Sequence, residues 1–263
     1  MDANLRTHGS SPFRVALIHG GPGAAGEMAV VARRLAQERG VLEPIQTATS
    51  VEGQVEELRE VLTKHAALPA VLIGFSWGAW LSLLVASRFP QLVRKLILVS
   101  SGALEERYAA RPHSTRLSRL NQRERVEFEA AIAALESDAT GDPDALLDRL
   151  GSLARKADTY APLEEPDEPG AVCPNGEIYR QVWKDAARMR RTGELLECAQ
   201  QVVCPVVAVH GDYDPSPAAG VSEPLSARLR EFRLVTLTNC GHTPWLERYA
   251  REEFYRVLRA ELG

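Results

Sequence analysis

The sequence predicts an α/β fold, a doubly wound and mostly parallel sheet interrupted by one helical insertion. Three observations carry this reading. Short, continuous apolar runs of β-favouring residues alternate with amphipathic runs at helical spacing, first up to about residue 102 and again after about residue 201. Glycine-rich turns follow several of those apolar runs, where open α/β sheets form their sites, beyond the carboxyl ends of the strands. Between the two halves, residues 103–201 hold no strand-like run and are rich in charge. The expected organisation is therefore a core in two parts, 1–102 and 202–263, with a helical cap at 103–201. A chain of 263 residues can bury one large core of this kind.

Phe13-Arg14-Val15-Ala16-Leu17-Ile18 reads as a buried strand entering the turn His19-Gly20-Gly21-Pro22-Gly23. Within residues 25–37, Met28, Val31 and Leu35 recur at helical spacing, and Gly40 stands where it can stop that helix. Residues 41–47 form a short strand. Ser50 caps the next helix, whose inner stripe is Val55, Leu58 and Leu62.

The apolar run 69–73 leads through Gly74-Phe75-Ser76-Trp77-Gly78 into the amphipathic run 79–89. Gly-x-Ser-x-Gly at a strand-to-helix junction is a nucleophile elbow, in which small flanking residues permit a strained serine backbone. The helix N-terminus and the Trp77 N–H then point at any negative charge formed beside the hydroxyl. Residues 95–99 are one more strand buried on both faces.

In the insertion, helices start near Ser114, Pro143 and Glu177. Asp142-Pro143 joins a cap to a proline at the first helical position, and Gly193 stops the last long helix. Residues 119–125 are basic but interleaved with Glu124, and Glu127 follows, as on a solvated helix face; residues 161–176, rich in Pro, Glu and Gly, form a loop. The strand 205–209 delivers His210-Gly211-Asp212-Tyr213-Asp214-Pro215, and a helix follows at 218–230. Residues 233–237 are the last strand, Asn239-Cys240-Gly241-His242 its terminal turn, and 244–262 the closing helix.

With 45% hydrophobic and 25% charged residues and a formal net charge of −4, the chain has an ordinary globular composition and no basic field to attract nucleic acid. No apolar run approaches a membrane span, and the first dozen residues lack the apolar core of a signal peptide, so a cytoplasmic protein is expected. Cys173, Cys198, Cys204 and Cys240 form no Cys-x-x-Cys pair, which predicts free thiols and neither a zinc site nor a redox pair.

A serine hydroxyl needs an imidazole to take its proton and a carboxylate to fix that ring's tautomer. Ser76, the acids Asp212 and Asp214, and His242 follow predicted strands in the order Ser, Asp, His. Joined by His19-Gly20-Gly21-Pro22-Gly23, they make the chain resemble the α/β-hydrolase family over nearly its whole length. Within it, His-Gly-Gly-Pro-Gly paired with Ser-Trp-Gly is most similar to the proline iminopeptidase group, serine aminopeptidases that release N-terminal residues.

That resemblance implies roles. Ser76 is the nucleophile, His242 the general base and then acid, and the Gly21 and Trp77 N–H groups the oxyanion hole. The family's acid lies three residues beyond the glycine, which selects Asp214 over Asp212. His19 and His210 brace loops. The insertion stands where the family carries its cap, and Trp183 is the cap residue expected to face substrate. The family opens with further antiparallel strands, whereas about a dozen residues precede Phe13 here, so the sheet is expected to be shortened at its N-terminal edge, with six strands. The aminopeptidases hold the substrate's amino terminus with cap acids. Glu164, Glu165, Asp167, Glu168, Glu194 and Glu197 are the candidates, against a reading of all six as solvated surface acids.

The expected reaction is acyl transfer to water on a small ester, amide or short peptide, through an acyl-enzyme and without metal or organic cofactor. A carboxylesterase without peptidase activity is the alternative. Two other classes compete. A hydrolase fold can bind a ligand without turning it over. Gly21-Pro22-Gly23-Ala24-Ala25-Gly26 also matches the dinucleotide fingerprint Gly-x-Gly-x-x-Gly, with Glu43 as the ribose contact of an NAD-dependent oxidoreductase. That reading sets Glu43 inside the second strand and leaves the elbow and His242 unexplained.

Overall fold

The computed structural model describes residues 4–137, 142–163 and 174–263. Seven strands among them make one sheet: β1 (Leu5–His8), β2 (Phe13–Ile18), β3 (Gly40–Pro44), β4 (Ala70–Phe75), β5 (Val93–Val99), β6 (Val206–Gly211) and β7 (Phe232–Leu237), in the spatial order β1-β3-β2-β4-β5-β6-β7. All neighbours are parallel except β1, which runs antiparallel to β3.

The expected count of six is thus corrected to seven. The additional strand is β1, four residues long at the sheet edge, too short and too polar to show a period of two. Its side chains meet β3: His8 Nε2 lies 2.7 Å from Glu43 Oε2 and Arg6 3.8 Å from Oε1, and Glu43 is buried. A cofactor ribose has no access to that carboxylate, which removes the contact on which the dinucleotide reading depends.

Ten helices lie in the described residues: α1 (Ala29–Leu35), α2 (Val51–His65), α3 (Trp77–Arg88), α4 (Arg111–Arg119), α5 (Gln122–Glu136), α6 (Pro143–Asp158), α7 (Gly176–Thr192), α8 (Glu194–Gln200), α9 (Ala219–Ser226) and α10 (Arg251–Leu262). Alternate strand residues face opposite layers. Ala16, Ile18, Leu72, Leu96 and Leu98 pack with Val55, Leu58 and Leu62 of α2 and with Leu81 and Leu84 of α3. Val15, Leu17, Val71, Ile73, Ile97 and Val99 pack with Val31 and Leu35 of α1 and Phe254 and Leu258 of α10 on the other face.

The cap has a core of its own, in which Leu120, Phe128 and Leu135 meet Leu147, Leu150 and Leu153. The helix expected to start near Ser114 is two helices. Leu120 and Asn121 take extended backbone, and Asn121 opens α5 with a capping box to Glu124. Asp142 caps α6, and Gly193 ends α7 in the left-handed region at φ 85°. No helix among the described residues is long and apolar enough to cross a membrane.

Candidate active site

The strand register sends the site's turns out at one edge, since Ile18 lies opposite Gly74, Phe75 opposite Val99, Val99 opposite Val209, and Gly211 opposite Leu237. Ser76 stands between β4 and α3 at φ 50°, a conformation that costs a non-glycine residue on the order of 1–3 kcal/mol. Its N–H donates to the Val99 carbonyl (3.0 Å). The flanking glycines are required by space. A Cβ on Gly74 would lie 2.2 Å from the Gly78 carbonyl oxygen, and one on Gly78 would lie 2.3 Å from that of Ile18 and 2.5 Å from that of His19. The first turn of α3, with Trp77, therefore abuts the turn holding Gly21, which is closed by the Ala24 N–H on the Gly21 carbonyl (2.8 Å). Trp77's indole N–H donates to Gln54 Oε1 (2.9 Å), which ties the side chain into the core.

His242 Nε2 lies 3.2 Å from Ser76 Oγ, and its Nδ1 lies 2.8 Å from Asp214 Oδ2. With the Nδ1 proton donated to the carboxylate, Nε2 is left to accept the serine proton. Asp214 is buried, and its Oδ1 accepts the Ser216 N–H (2.9 Å). Burial works against its charge, but His242, His210 and the Ser216 N–H outweigh it and hold the pKa below the usual carboxylate value. For His242, burial disfavours the imidazolium, yet Asp214 prevails and holds its pKa above the ordinary 6.5. Asp212, the competing acid, accepts the Cys240 N–H (3.2 Å) and so braces the histidine turn from outside the relay.

Two further histidines hold loops. His19 donates from Nδ1 to the Gly20 carbonyl (2.7 Å) and accepts the Gln46 N–H at Nε2 (3.3 Å); burial lowers its pKa to about 4, so it stays neutral. His210 Nε2–H donates to the Ser216 carbonyl (2.7 Å), beside Asp214.

Trp183 is half-buried and stacks with Trp80 (5.9 Å between centroids) and with Tyr179 (6.2 Å). Glu194 pairs with Arg188 on the surface and Glu197 is exposed, so neither is a buried amine-binding acid. Glu164, Glu165, Asp167, Glu168 and Cys173 lie outside the described residues; Cys198, Cys204 and Cys240 are free thiols.

Several groups at the site escaped the sequence reading. Glu27, expected within the first helix, precedes it and turns back to accept the Gly20 N–H (2.8 Å). Burial pushes its carboxyl up to about 7, against the pull of His242, the Gly20 N–H and Arg155. From the cap, Arg116 makes a two-point ion pair with buried Asp158 (2.8 and 2.7 Å), and the Asp158 carbonyl accepts the His242 N–H (2.9 Å). The cap also covers the glycine turn, because the Asn175 N–H donates to the Gly23 carbonyl (2.8 Å). The space beside Gly23 that a dinucleotide phosphate would approach is filled by the Asn175 carbonyl, 2.2 Å from where a Cβ would stand. The fingerprint is thus occupied within the chain.

Known proteins resemble the chain in sequence and in fold. A sequence model of the Alpha/beta hydrolase family matches residues 4–257. The chain is 25% identical over 198 residues to a pimeloyl-[acyl-carrier protein] methyl ester esterase of Neisseria meningitidis, a match covering 73% of this chain and 57% of that relative's length. Among solved structures, VinJ superposes with a TM-score of 0.71 at 19% identity, covering 98% of this chain and 93% of that one. A monoacylglycerol lipase of Paleococcus ferrophilus superposes with a TM-score of 0.62 at 17% identity, covering 100% and 98%.

Proposed function

The chain belongs to the Alpha/beta hydrolase family, and from that premise we propose that it is a serine hydrolase cleaving a carboxylic ester of a small acyl substrate. The observation that carries this reading is the relay from Ser76 Oγ through His242 to Asp214, at 3.2 and 2.8 Å. Ser76 attacks the ester carbonyl while His242 Nε2 takes its proton, and Asp214 holds the ring and stabilises the imidazolium. Charge developing on the carbonyl oxygen falls to the Trp77 and Gly21 N–H groups, a donor pair of the type worth about 3–4 kcal/mol each. His242 then protonates the leaving alcohol, the acyl group stays on Ser76, and a water activated by the same histidine releases it.

The ester is preferred to the aminopeptide bond on two grounds. Glu194 and Glu197, the two of the six candidate cap acids that lie among the described residues, are surface groups rather than a buried ammonium site. The relative from Neisseria is named as a methyl ester esterase. Release of N-terminal proline, implied by His-Gly-Gly-Pro-Gly, is the finer alternative. Hydrolysis of nitrophenyl esters of graded acyl length, measured beside prolyl and alanyl anilides, tests the choice. Turnover of esters that is abolished in Ser76→Ala supports the proposal, whereas turnover confined to the anilides replaces the esterase with a peptidase. Undiminished turnover in Ser76→Ala refutes the mechanism.

A further inference from the structure

Glu247 is fully buried and its carboxylate joins two separate segments. Oε1 accepts the Gly241 N–H at 2.7 Å and the Tyr160 N–H at 2.8 Å, and Oε2 accepts the Ala161 N–H at 2.8 Å. One donor belongs to the turn that carries His242, and the other two to the chain leaving α6 of the cap. Backbone bonds run alongside. The His242 N–H donates to the Asp158 carbonyl (2.9 Å), the Arg248 N–H to Ala161 (2.9 Å) and the Leu163 N–H to Leu246 (2.8 Å), and Pro162 forms an antiparallel bridge with Glu247.

The turn is held without slack. A Cβ on Gly241 would lie 1.9 Å from the Asp158 carbonyl oxygen and 2.6 Å from Glu247 Oε1, so Gly241 is pressed between the cap and the carboxylate. The closing helix expected at 244–262 is interrupted at this point: residues 244–246 form a single 3₁₀ turn, Glu247 is extended, and α10 begins only at Arg251. A buried carboxylate is costly unless its lone pairs are used, and three backbone donors compensate here. Packing alone would be served by an apolar side chain. What the carboxylate adds is a direct tie between the cap segment that follows α6 and the residue before His242.

We propose that Glu247 is a positioning residue that fixes the His242 ring through Gly241 and couples its placement to the seating of the cap. This rests on the reading of His242 as the general base. The cap's hold on the ring continues to α4, because the segment that Glu247 grips begins at Asp158, whose carboxylate is clamped by Arg116.

Glu247→Gln keeps the shape and replaces one acceptor oxygen by an NH2 group facing a backbone donor. Ester kcat is expected to fall on the order of a hundredfold with KM changed less than about twofold, the pattern of a misplaced reacting group rather than of lost binding. In protein labelled with 15N-histidine, the downfield Nδ1–H proton of His242, which marks its bond to Asp214, should shift or broaden in the variant. A folded Glu247→Gln protein with wild-type kcat and an unmoved resonance overturns the proposal. Wild-type protein that neither hydrolyses esters nor takes a serine-directed label overturns the hydrolase reading instead, while the resonance still reports whether Glu247 holds the ring. Should the variant fail to fold, hydrogen exchange of the wild type decides. The Gly241, Tyr160 and Ala161 amides are expected to exchange as one protected unit, and independent exchange of Gly241 from the other two overturns the coupling.

Discussion

Asp212 and Asp214 stand two residues apart and do different work. Asp214 Oδ2 faces His242 Nδ1 at 2.8 Å, whereas Asp212 holds the Cys240 N–H at 3.2 Å. Asp214→Asn should therefore lower kcat by up to roughly ten-thousand-fold through loss of the correct tautomer. Asp212→Asn keeps an acceptor oxygen and should stay near wild type; ester kinetics on the two variants would expose an exchanged assignment. His242 must be neutral to accept the serine proton, and its pKa is held above 6.5. The kcat/KM profile should accordingly rise with pH through a value above 6.5 in the wild type, and through a lower one in Asp214→Asn.

Glu27, which is partly buried, and buried His19 give opposite stability slopes. Glu27 is raised on folding from 4.5 to about 7, so its contribution is complete below 4.5 and is lost as pH rises through about 7. His19 is lowered from 6.5 to about 4, so its contribution is complete above 6.5 and is lost as pH falls through about 4. Glu27→Gln removes only the first. Its Tm, relative to wild type, should gain as pH rises from 4.5 to about 7; parallel Tm curves for the two proteins would contradict the assignment.

At the scale of elements, the elbow was readable because its strain leaves glycine marks at positions 74 and 78, and the structure shows the backbone atoms that forbid anything larger. Gly78→Ala drives a methyl into the carbonyls of Ile18 and His19, separating α3 from the Gly21 turn. A stability loss of about 1–3 kcal/mol together with a lower kcat is expected; denaturant midpoints and ester kinetics equal to wild type would show that the two turns are not in contact. By contrast, β1 could not be read, since a four-residue edge strand carries neither a period nor a full apolar face. Glu27, Glu247 and the Arg116–Asp158 pair were hidden for a related reason. Their partners are backbone N–H groups, or a side chain 42 residues away, and neither leaves a local spacing to find.

For the whole molecule, alternation of strand and helix was sufficient to read the parallel strands β2 to β7, because helices from both ends of the chain cover the central strands on both faces and leave them as continuous apolar runs. The cap was legible as helical but not in its folding, since its core joins α5 to α6 across residues that show no common pattern. Its closeness to the site emerges only in three dimensions, where Asn175 meets Gly23 and Asp158 meets His242. All of these features serve one claim, that Ser76 is an activated nucleophile. Intact-protein mass after treatment with a fluorophosphonate, with Ser76→Ala as control, tests it most directly. A single adduct on the wild type that is absent from the variant is the result expected; no adduct on the folded wild type, or an adduct that survives in Ser76→Ala, would contradict it.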